Sequence, residues 1–99
     1  MTAFDLTRSA RADLKAIARY TQSHWGLAQR NAYLDDMDQL FHLLAGNPSI
    51  GRSCDEIRAG YRKFPHGEHV IYYKLLAAND LLIVRILHAT MDVDAHLGS

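Results

Sequence analysis

The spacing of apolar and polar positions changes once along this chain, and the change divides it into a helical half and a sheet half. Ala10, Leu14, Ile17, Ala18, Thr21 and Trp25 follow helical spacing, while Arg8, Arg11, Lys15 and Arg19 fall on other faces as a solvated surface. Thr7 or Ser9 offers an N-cap, and Asp13 falls near the start, where the helix dipole favours an anion. A helix is predicted over about 9–24, ended by Gly26, with Trp25 expected in the core at the bend. Tyr33, Met37, Leu40, Phe41 and Leu44 form a second apolar stripe, with Asp35, Asp36 and Asp38 turned to solvent and Gly46 and Pro48 as the stop. So short a link around Gly26 predicts an antiparallel helix hairpin.

After residue 60 the period becomes two. Strands are predicted over 61–65, 69–76 and 81–88, with a turn at Pro65-His66-Gly67 and a hairpin link at Ala78-Asn79-Asp80. Residues 50–60 read as a loop. Residues 1–6 read as a short edge strand with Phe4 and Leu6 on one face, and 91–99 as a tail of no assigned form. The order is strand, two-helix hairpin, then a three-stranded antiparallel sheet. This is an α+β domain with both helices on one sheet face, and 99 residues make it a single domain, 1–99.

Charge narrows the partners. Eleven basic and eleven acidic residues balance over the whole chain, with five of each sign up to residue 50 and six of each beyond it. A protein held on nucleic acid by phosphates carries a basic excess, so direct nucleic-acid binding is not expected. One cysteine, Cys54, excludes an intrachain disulfide and points to a reducing cytoplasm. Asp5, Arg8 and Arg11 stand where a signal peptide needs an apolar run, and no stretch is long enough to span a bilayer.

An ordered set of landmarks then runs along the chain. Leu6-Thr7 is followed by Ala10, Asp13-Leu14, Ile17, Tyr20 and Trp25-Gly26, then Asn47-Pro48 and Gly51-Arg52. The last block is Gly67-x-His69-Val70-Ile71-Tyr72-Tyr73-Lys74, Ile83-x-Arg85-Ile86-Leu87-His88, Met91-Asp92 and His96-Leu97. In order and spacing these resemble the ParE branch of the ParE/RelE toxin superfamily over nearly the whole length. The resemblance implies a toxin of a type II toxin–antitoxin pair that inhibits DNA gyrase and blocks replication. It also implies a cognate antitoxin (ParD-like or similar) that folds its C-terminal part onto the toxin in a hetero-oligomer.

The related RelE toxins are ribosome-dependent mRNA endoribonucleases, and this is the alternative. Attack by a 2′-hydroxyl needs a base, an acid and cations for the phosphate charge. The resemblance implies arginines at positions occupied here by Val70 and Thr90, and a tyrosine near His96. Losing one such stabilising donor costs roughly 10²–10³-fold in rate. A substitute set would be Arg62, Arg85, His88 and His96, joined by His66 and His69, but Arg85 and His88 should point to opposite faces of a regular strand. A third possibility is a chain that has lost toxicity and persists as an antitoxin-binding module.

Each candidate also has a plain structural role. His66-x-x-His69, completed by His88, Asp92 or His96, has the elements of a metal site, but its place in a turn favours ordinary hydrogen bonds. No metal and no cofactor are therefore expected. Arg85 in an apolar strand suits either a target contact or an internal pair with an acid such as Asp92. Tyr72 and Tyr73 face opposite sides of their strand, one toward the helices. Cys54 has no base beside it and is not a nucleophile. Expected target contacts are Arg62, Arg85, His88, Asp92 and His96. Expected antitoxin contacts are Arg11, Leu14, Ile17, Tyr33, Met37 and Tyr72.

Overall fold

A computed structural model describes residues 4–77, 80–91 and 93–97. Strand β1 (Phe4–Leu6) leads into helix α1 (Arg8–Trp25) and helix α2 (Leu27–Gly46). A single 3-10 turn (Pro48–Ile50) follows, then strands β2 (Arg52–Ser53), β3 (Arg62–His66), β4 (His69–Leu75) and β5 (Leu81–His88), and a last helix α3 (Val93–Leu97). The helix bounds and β5 match the periodicity closely. Part of the expected hairpin link, Ala78-Asn79, lies outside the described residues.

Among the described residues the sheet has five strands in the order β1-β5-β4-β3-β2. The expected four become five because two residues of the 50–60 loop pair with β3. Strand β1 runs parallel to β5, so the sheet is mixed and its N-terminal strand forms one edge. The turn between β3 and β4 is displaced too. Pro65 and His66 pair with Val70 and His69, which leaves Gly67-Glu68 as the turn. Pro65 is exposed and its ring replaces only one donor near the strand end, so the strand tolerates it.

Local chemistry sets the hairpin. Thr7 caps α1: its hydroxyl oxygen accepts from the Ala10 N–H at 3.0 Å and donates to the Val84 carbonyl at 2.7 Å, tying the helix start to β5. Gly26, at φ 91°, ends α1 and starts α2 in one residue. The hairpin lies on one sheet face, where Ile17, Met37, Leu40, Phe41 and Leu44 pack against Ile71, Tyr73, Ile83 and Ile86. The outer face is covered as well. Cys54, Ile57 and Tyr61 of the 54–61 loop, with Val93 and Leu97 of α3, enclose Tyr72, Val84 and Leu87. The tail is thus a short helix docked on the sheet.

Three expectations about buried and exposed positions change. Trp25 is not core: it is 71% exposed at the last turn of α1, where it lines a groove. Met37 and Tyr72 are 1% and 3% exposed, so they leave almost no surface for a partner. Tyr72 and Tyr73 do lie on opposite faces, Tyr73 toward the helices. The Tyr73 hydroxyl donates to the Pro48 carbonyl at 2.6 Å and accepts from the Gly51 N–H at 2.9 Å. Gly51 sits so close that any Cβ there would collide with the Tyr73 hydroxyl.

Candidate functional site

Strand register brings three histidines into one row. His66 pairs with His69, and His69 with His88, all on the helix side at one end of the sheet. Tyr33 of α2 comes down onto them. Its hydroxyl lies 3.0 Å from the His66 carbonyl and 2.8 Å from His69 Nδ1. A hydroxyl has one proton, and the carbonyl can only accept, so Tyr33 donates to His66 and His69 Nδ1–H donates to Tyr33. Nε2 of neutral His69 is then an acceptor turned away from Tyr33. Burial lowers the His69 pKa, helped by neighbouring His88, and burial raises that of Tyr33, helped by Glu68. Both shifts favour the neutral pair that this bonding requires.

His88 completes the cluster. Its ring meets His69 edge-on at 5.6 Å, its Nδ1 is 2.8 Å from the Thr90 hydroxyl, and its Nε2 is 3.8 Å from the Glu68 carboxylate. Above these polar groups a groove of about 600 Å³ opens between the hairpin and the β3–β4 turn. Tyr20 and Trp25 of α1 and Met91 after β5 line it, and all three are largely exposed. Among the described residues no group of three His, Cys, Asp or Glu is placed to hold a metal ion.

Arg85 is on the same sheet side, contrary to the alternation argument. Tyr72 pairs with Arg85 but Tyr73 with Ile83, so Val84 is an extra residue and β5 bulges there. The bulge turns Arg85 toward α1. Its Nε and Nη2 donate to the two Asp13 oxygens at 2.8 and 3.0 Å, and the Ile86 N–H donates to the same carboxylate at 2.9 Å. Asp13 is therefore a partner of Arg85, and Asp92, the acid expected there, lies outside the described residues. Asp13 also lies beyond the first turn of α1, so its task is to fasten β5, not to meet the helix dipole.

The remaining expected site residues are dispersed. Arg62 donates to the Gly51 carbonyl at 2.7 Å. His96 rides on α3, which packs on the outer sheet face, whereas His88 lines the groove on the inner face. Ile17 and Tyr33 line the same groove as His88. Leu14 and Met37 border a second, smaller groove of about 370 Å³ beside β1. Arg11 is exposed and pairs with Asp5 at 3.0 Å. Cys54 is fully buried, and burial raises its thiol pKa, as suits an inert side chain. Sequence reasoning missed Tyr20, Glu68 and an exposed Trp25 as wall residues; their grouping depends on register and on where α1 ends.

A helix hairpin on a small mixed sheet, with a second helix face left to solvent, is the fold of the RelE/ParE toxins. The chromosomal ParDE toxin–antitoxin system of Pseudomonas aeruginosa superposes with a TM-score of 0.73 at 20% identity, covering 89% of this chain and 96% of that one. The toxin–antitoxin complex RelBE2 of Mycobacterium tuberculosis superposes at 0.63 and 18% identity, covering 88% and 96%. Residues 4–93 match the family described as ParE toxin of type II toxin–antitoxin system, parDE. Toxin ParE1 of M. tuberculosis is 41% identical over 92 residues, 93% of this chain and 94% of that protein. Toxin ParE1 of Caulobacter vibrioides is 35% identical over 98 residues, 99% and 100% of the two chains. The chain belongs to the ParE toxin family of type II toxin–antitoxin systems. Among the described residues no helix is long and apolar enough to cross a membrane.

Proposed function

We propose that this chain acts by binding rather than by cutting: it inhibits DNA gyrase, blocks replication, and is silenced by a cognate protein antitoxin. Membership of the ParE family over residues 4–93 supports the target. The observation that carries the mode of action is the state of Arg62 and Arg85, the two arginines expected for ribonuclease chemistry. A ribonuclease needs cations free to meet a crowded phosphate. Here the Arg85 guanidinium is held bidentate by Asp13, and Arg62 donates to a backbone carbonyl. His88 and His96 belong to opposite sheet faces and do not form an acid–base pair. The antitoxin is supported by structural neighbours that are themselves toxin–antitoxin assemblies, and by large apolar side chains left exposed along the hairpin.

The test is a gyrase supercoiling assay with purified chain beside an in vitro translation reaction. Lost supercoiling with trapped cleaved DNA is expected, with translation untouched. Blocked translation with normal supercoiling would overturn the reading. Growth arrest on expression alone, relieved by the neighbouring gene product, tests toxicity and antitoxin together.

A further inference from the structure

The groove over the histidine row has a definite chemical preference. Among the described residues no lysine or arginine lines it, and its one full charge is the Glu68 carboxylate. Its lining offers acceptors: the exposed Glu68 carboxylate on its rim, 3.8 Å from His88 Nε2, the exposed Thr90 hydroxyl, and the free Nε2 of neutral His69 below. Its walls offer the ring of Trp25, 71% exposed, and that of Tyr20, 55% exposed with one face stacked on His24 at 3.9 Å. Acceptors below and π-faces beside fit one protein side chain best. A guanidinium donates in a planar fork, stacks on aromatic rings and carries little hydration, whereas an ammonium stacks poorly and an apolar side chain leaves the acceptors unmet.

The geometry points to an arginine of the antitoxin as the occupant, its guanidinium over Trp25 and Tyr20 and bonded to Glu68 and His69, with apolar neighbours covering Met91. The choice of the antitoxin rests on the proposed function above. Exposed Tyr20, Trp25 and Met91 form an apolar border that is unfavourable in water, so the cover belongs to the resident partner, not to a target met only during toxicity.

Trp25 is the sole tryptophan, so its emission reports the groove directly. Purified chain would be titrated with acetyl-Leu-Arg-Leu-amide and with its lysine and citrulline counterparts. A saturable blue shift is expected for the arginine peptide, weakened about fivefold or more by citrulline, which keeps the shape and removes the charge. Glu68→Gln should erase that preference. In the complex with co-expressed antitoxin, Glu68→Lys should weaken affinity by about tenfold or more, while Glu56→Lys, an exposed acid on the loop across the sheet, should not. Equal binding of arginine and citrulline peptides, or a preference unchanged by Glu68→Gln, would overturn the site. An arginine preference with an antitoxin complex indifferent to Glu68→Lys would overturn the occupant. If no antitoxin complex forms at all, the functional reading fails and the occupant with it, and the peptide titration still decides on the pocket.

Discussion

Two neighbouring polar clusters in the layer between hairpin and sheet use similar residues to opposite effect. Midway along β5, Asp13 and Arg85 meet at 2.8 and 3.0 Å, the Ile86 N–H also donates to the Asp13 carboxylate, and Thr7 ties the helix start to Val84. At the His88 end of the strand, Tyr33, His69, His88 and Glu68 form a looser set that leaves an acceptor unpaired beneath a groove about 600 Å³ in size. The first, closed end of the pair serves the fold. The second is open, and its polar groups are left for something else to meet. In a chain this small, function lies where packing is left incomplete.

The largest effect should come from the closed end. Asp13→Ala strips Arg85 of its partner and leaves the Ile86 N–H unmet, both partly buried, and should cost about 3–5 kcal/mol, read from denaturant midpoints. Arg85→Ala should cost less, because Asp13 keeps the Ile86 N–H. An Arg85→Ala chain of unchanged stability but abolished toxicity would show that Arg85 is a target contact after all. Tyr73→Phe should follow at about 1–3 kcal/mol, since it removes the partner of the Pro48 carbonyl and the Gly51 N–H in the core.

These residues also show what could be read from the sequence. Both long helices and the faces of Tyr72 and Tyr73 follow from period alone, because each depends only on neighbours along the chain. The Asp13–Arg85 pair did not follow. It needs the bulge at Val84, and a bulge is one extra residue that no alternation pattern announces. Trp25 fits the apolar stripe by spacing, yet it is exposed at the last turn of α1, and spacing does not say how far along a helix the packed layer reaches. His66, His69 and His88 were visible as chemistry, but their row is a matter of register across three strands. The outer-face cover by Cys54 and Leu97 joins a loop to a tail, a long-range contact with no local signal.

Acid should act on the open end. Burial and His88 hold the folded-state His69 pKa below its ordinary value near 6.5, so the unfolded chain takes up the proton first. The stability tied to neutral His69 is therefore complete above about pH 6.5 and is lost as pH falls from there toward the lowered folded value. Glu68 and Asp13 oppose the shift, while His66 and His88 add to it. Denaturation curves between pH 7.5 and 5.5 should show a decline that His69→Gln flattens. An unchanged decline in that variant would place the sensitive group elsewhere.

The smallest expected change in stability is the most telling one. Trp25→Ser removes the largest side chain of the molecule, yet Trp25 is 71% exposed, so the free chain should change by no more than about 0.5 kcal/mol. A buried tryptophan would cost about 3–5 kcal/mol when truncated, so the measurement separates a wall from a core residue by a wide margin. Near-neutral stability combined with weakened antitoxin binding would show that the groove's aromatic wall is kept for a partner. A large loss would mean that α1 packs on something beneath its last turn, and the contrast between a closed and an open end would disappear. Tyr20→Ser, five residues earlier, should weaken antitoxin binding in the same way but cost the free chain somewhat more, since Tyr20 is 55% exposed and stacked on His24.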